Sequence, residues 1–92
     1  MAKNVLLSID LNNVSSEQRS VFNQALADEK WVKHSRLTTV WTAVFQEDVT
    51  ESGAVGTTKK DVTTAASKAK ITNYDALIHV GDSKPTEYSI KN

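Results

Sequence analysis

The sequence predicts an α+β sandwich, a four-stranded antiparallel sheet with two helices on one face. Three observations predict it. Stretches with strand period at residues 4–11 and 74–80 bracket the chain. Two stretches with helical period and N-terminal capping signals lie between them. A β-branched and aromatic run at 31–46 is too long for one average strand and divides into two. At 92 residues the chain is a single domain, 1–92, with a thin core.

The first element reads Asn4-Val-Leu-Leu-Ser-Ile-Asp-Leu11. Val5, Leu7, Ile9 and Leu11 fall on one face, and Leu6, Ser8 and Asp10 on the other. One apolar and one mixed face suit a central strand covered by helices on one side only. Asn12 and Asn13 end it. Ser15 then opens a helix, with Gln18 completing a capping box and Glu17 in the first turn, where the helix dipole favours an acid. Val21, Phe22, Ala25 and Leu26 form its apolar stripe, and the helix ends near Lys30.

The run from Trp31 to Gln46 divides near Ser35 to Leu37 into two antiparallel strands; one bent or bulged strand is the alternative. Residues 47–57, with Ser52, Gly53 and Gly56, read as a surface loop. Thr58 with Asp61 resembles a second capping box and opens a helix. Val62, Ala65, Ala66 and Ala69 form its stripe, and Lys68 and Lys70 lie in its last turn. Tyr74 to Val80 is the last clear strand, ended by Gly81-Asp82. Glu87 to Ile90 is a candidate extra edge strand, or pairs with another chain. Two β-α-β halves with right-handed crossovers give a ferredoxin-like βαββαβ sandwich whose second face stays open.

Eleven basic residues balance eleven acidic ones, so no global field attracts a polyanion. The absence of cysteine excludes disulfides, thiolate metal sites and a cysteine nucleophile, and is compatible with the cytoplasmic location expected here. No apolar run approaches the roughly 20 residues that cross a bilayer, so no membrane partner is expected.

Asp10 is the most informative polar residue. It stands at the carboxyl end of a central strand and points to the open face, where a carboxylate can hold a divalent metal and support phosphodiester chemistry. The alternative is a turn-capping Asp beside Asn12 and Asn13. His34 and His79 sit in strands without a second ligand at metal spacing. Trp31 and Trp41 are candidates for stacking on bases or, more commonly, for core and interface. Lys59 and Lys60, at the expected start of the second helix, are candidate phosphate contacts. Leu6, with Trp41 or Val40 and either Leu77 or Ile78, is expected on the open face, which a small protein covers by forming a homodimer with Leu6 and Trp41 at its interface.

The segments Ser8-Ile-Asp-Leu-Asn12, Trp31-Val-Lys-His34, Thr39-Val-Trp41 and Asp75-Ala-Leu-Ile-His-Val80 together resemble the small CRISPR adaptation endonuclease-like proteins, in particular their SinR-like relatives. The resemblance covers about residues 4–45, with the last strand on the same plan. It implies a ferredoxin-like homodimer in which the position matched by Asp10 carries metal-dependent nuclease activity, one residue from each subunit near the dimer axis. The neutral charge balance departs from the basic nucleic-acid-binding members. The expected function is a non-enzymatic homodimeric module that binds nucleic acid or protein, and no cofactor is assigned to it. The alternative is an endonuclease that uses Asp10 from each subunit with Mg²⁺ or Mn²⁺.

Overall fold

The computed structural model describes residues 2–37, 39–86 and Tyr88. In chain order the elements are β1 (Lys3–Leu11), α1 (Ser16–Asp28), β2 (Val32–Lys33), β3 (Val40–Phe45), α2 (Glu51–Ala69) and β4 (Tyr74–Gly81). The strands form one antiparallel sheet in the order β2-β3-β1-β4. The candidate strand at Glu87 to Ile90 lies outside the described residues, apart from Tyr88.

The alternation read in β1 decides the layering. Val5, Leu7 and Ile9 are buried, and their cross-strand partners Ala43, Trp41, Val80 and Ile78 lie on the same face. Phe22, Ala25 and Leu26 of α1 and Val62, Ala65, Ala66 and Ala69 of α2 close that face into one core. The long aromatic run divides as its composition requires, with β2 reduced to two residues and β3 beginning at Val40.

The first helix forms where local chemistry calls for it. Ser15 accepts from the Gln18 amide and the Gln18 side chain accepts from the Ser15 amide, so the capping box is complete. Both helices end on a left-handed lysine followed by a buried large residue. Lys30 (φ 73) precedes Trp31, and Lys70 (φ 58) precedes Ile71. The Trp31 amide donates to Leu26 O and the Ile71 amide to Ala66 O, the closing bonds of Schellman motifs.

The second helix corrects the sequence reading. It starts at Glu51 rather than Thr58, and Thr50 caps it by accepting from the Gly53 amide. The supposed loop with Gly53 and Gly56 is therefore helical. Each glycine costs a helix interior about 1 kcal/mol. Burial of Ala54 and Thr58 on the same stripe as Val62 offsets that cost. Thr58 caps nothing: its hydroxyl donates to Ala54 O at 2.8 Å within the buried face.

Candidate functional site

The open face of the sheet carries the polar and apolar groups that the helix layer does not cover. Register places Leu6 opposite Thr42 and His79, Ser8 opposite Val40 and Leu77, and Asp10 opposite Asp75. Val44 is 64% exposed and Leu77 is 76% exposed, so the face offers water large aliphatic groups. Residues 84–86 and 88 lie beside β1 and β3 and make, with the turn after β2, a groove of about 550 Å³. Leu6, Val40 and Val44 lie along its sheet side, Leu37 and Tyr88 add apolar walls, and Arg36 and Lys84 bring cations.

His34 shapes one end of this groove. Its Nδ1 accepts from the Arg36 amide at 3.1 Å and the Leu37 amide at 3.0 Å. That ring nitrogen is committed to folding the chain between β2 and β3, which turns Arg36 and Leu37 toward the groove. A period-two reading finds His34 in a strand; its turn-forming role depends on backbone geometry beyond that reading.

Asp10 is exposed at the carboxyl end of β1, on the open face as its position in the alternation requires. The sequence reading missed its neighbour. Asp75 lies directly opposite on β4, and the Asn12 side-chain amide donates to Asp75 Oδ2 at 3.3 Å and to Asn73 Oδ1 at 3.0 Å. Asn12 thus ties the loop after β1 to the start of β4. The two carboxylates of one chain supply part of an oxygen donor set. Among the described residues no group of three or more acids, histidines or cysteines gathers to hold a metal ion. A divalent cation at this corner would take its remaining ligands from water or from a second molecule.

Two placements overturn sequence expectations. Trp41 is 3% exposed and pairs with Leu7, so it belongs to the helix side of the sheet; Val40 takes the open face in its place. A shift of one residue in strand phase moves a side chain to the opposite face, and the run before Trp41 has no turn signal to set that phase. Lys59 and Lys60 lie within α2, two turns beyond its start, and are exposed. They are therefore remote from the unpaired amides that make a helix N-terminus an anion site.

Trp31 is also buried. Its indole Nε1 donates to Asp61 Oδ2 at 3.0 Å, and its ring meets Phe45 edge-on with centroids 6.4 Å apart. Asp61, expected in a capping box with Thr58, instead anchors the tryptophan to α2. Both tryptophans are thereby removed from any stacking platform for bases. Exposed Asp82, just beyond β4, pairs with Lys3 at 3.0 Å. The hydrogen bond from Lys3 and its charge hold the Asp82 carboxyl below its ordinary range.

Neither a protein-family model nor a curated protein matches this chain. Among the described residues no helix is long and apolar enough to cross a membrane. The site is therefore argued from its own geometry.

Proposed function

We propose that this chain is a ferredoxin-like module that works as a homodimer and acts by binding, taking a protein segment on the open face of its sheet. The strand order β2-β3-β1-β4, with one helix in each β-α-β half, supports the ferredoxin-like reading. The groove over Leu6, Val40 and Val44 carries the binding reading. An aliphatic floor favours apolar side chains because it removes them from water, at about 25 cal/mol per Å² of apolar surface buried. Arg36 and Lys84 beside it suit acidic residues flanking those side chains. A nucleic-acid backbone gains little from such a floor, and a chain of zero net charge offers little counterion release. The aliphatic groups left on the open face support association with further protein.

A photo-crosslinking side chain at position 44 tests the reading in cells. The expected product is a discrete protein adduct that is missing when the same group replaces Lys59 on the helix layer and that survives Asp10→Ala. Crosslinking to nucleic acid, or equal adducts from both positions, would overturn the choice of a protein segment.

The opposed Asp10 and Asp75 favour a second reading, a metal-dependent endonuclease in which two copies complete the donor set. It expects Mn²⁺-dependent cleavage of RNA or DNA by the purified protein that is lost in Asp10→Ala. Cleavage that persists in that variant belongs to a contaminant.

A further inference from the structure

The two edges of the sheet differ in a way that bears on how copies associate. The β2 edge is two residues long and carries Lys33. The β4 edge is eight residues long and contains neither proline nor lysine. Natural sheets guard their free edges with short strands, lysine, proline or bulges, because an unguarded edge pairs with another strand. The described residues after β4 do not cover this edge, since residues 84–86 and 88 lie by β1 and β3. The helix layer also stops short there. Ala76 is exposed and Ile78 only half-buried, although both lie on the helix side with Ile9 and Leu7.

Building on the homodimer reading, we infer that β4 of one copy pairs antiparallel with β4 of a second copy about a two-fold axis through Leu77, joining two sheets into one. Directly opposed residues of an antiparallel pair share a face, so an axis through Leu77 makes every pair compatible. On the open face Leu77 meets Leu77, and Asp75 of each copy meets His79 of the other. The imidazole donates an N–H to the carboxylate whether or not it carries a charge. On the helix face small meets large: Ala76 opposes Ile78, and Tyr74 opposes Val80. Moving the axis to Ala76 or Ile78 sets Asp75 against Leu77 or Gly81 and loses both polar pairs.

The pairing also answers a local conflict. Within one chain Asp75 stands opposite Asp10, like charge against like. His79 of the second copy gives Asp75 a donor on its other side. The groove over β1 and β3 stays open in this dimer. The two Asp10 carboxylates end roughly 20 Å apart by strand spacing and rise, too far to share one metal ion. Edge pairing therefore favours the binding reading over the shared-metal endonuclease.

Sedimentation equilibrium of the whole chain tests the inference, with circular dichroism confirming that each variant is folded. The wild type is expected at twice the 10.1 kDa of one chain. His79→Glu sets carboxylate against carboxylate in both pairs, and Asp75→Lys removes both acceptors for the imidazole N–H; each is expected to weaken dimerisation, the former at least about tenfold. The double variant restores opposite charges in exchanged positions and is expected to return to within a few-fold of wild type. Hydrogen exchange on the wild type supplies a measure free of mutation: β4 amides gain protection as concentration rises. A wild type that stays monomeric overturns the homodimer reading and this inference together. A dimer that tolerates both single variants, with no concentration-dependent protection in β4, leaves the homodimer and overturns only the β4 pairing.

Discussion

The two faces of β1 put neighbouring leucines in opposite circumstances. Leu7 is fully buried beneath the helices, whereas Leu6 is half-buried on the open side. The inner face is closed by packing from β1, β3, β4 and both helices and by a latch between the helices. The outer face is a groove, an acidic corner and an unguarded edge. The difference shows a division of labour: one face of the sheet supplies the stability, and the other is left for association.

The largest effect that tests this division is Leu7→Ala, expected to cost about 2–5 kcal/mol in urea unfolding through lost burial and a residual cavity. A cost below 1 kcal/mol would mean that the inner face is not the stabilising one. Trp31→Phe preserves an aromatic ring near Phe45 but removes the indole donor to Asp61. It is expected to cost about 1.5–3 kcal/mol by the same measurement, as for a hydrogen bond to a charged group.

Gln18→Glu probes the latch that holds the helix layer over the inner face. The Gln18 side-chain amide donates to Ala69 O at 3.3 Å and Lys70 O at 3.1 Å at the end of α2. Glutamate retains the capping acceptor but faces those carbonyls with a carboxylate, so a loss of about 1 kcal/mol is expected. On the outer face, Val44→Thr is expected to change unfolding stability by less than about 0.5 kcal/mol. It should nevertheless lower the crosslinking yield at the groove when the reporter is moved to position 6.

The smallest effect is electrostatic and depends on pH. Because Lys3 lowers the folded-state value of Asp82, the pair stabilises the fold above the ordinary carboxylate range. That contribution is lost as pH falls through the lowered folded value. Carbon-detected NMR titration of the Asp82 carboxyl checks the direction, and Lys3→Met is expected to return its midpoint to the ordinary range.

The fold was legible where neighbours along the chain decide the outcome, and the site less so. The capping box at Ser15 and Gln18 and the alternation of Val5, Leu7 and Ile9 could be read from spacing, and they place Asp10 correctly on the open face. Asp75 was missed beside it because register between β1 and β4 brings together residues that are far apart in the chain. The groove also escaped, since it is made by the turn after β2 and the segment after β4 meeting over the sheet.

By itself the sequence determined the alternation of strands and helices, the apolar stripes and the first helix cap. These depend on hydrogen bonds within a turn and on periodicities that any local segment carries. Tertiary structure decided where α2 begins, which face Trp41 takes, that Asp61 serves Trp31, and that β4 rather than β2 is the longer outer strand among the described residues. Each of these depends on burial or register set by distant residues. A helix with glycines on its exposed side is held by the burial of its opposite stripe, and a strand's phase is set only when its partner is in place.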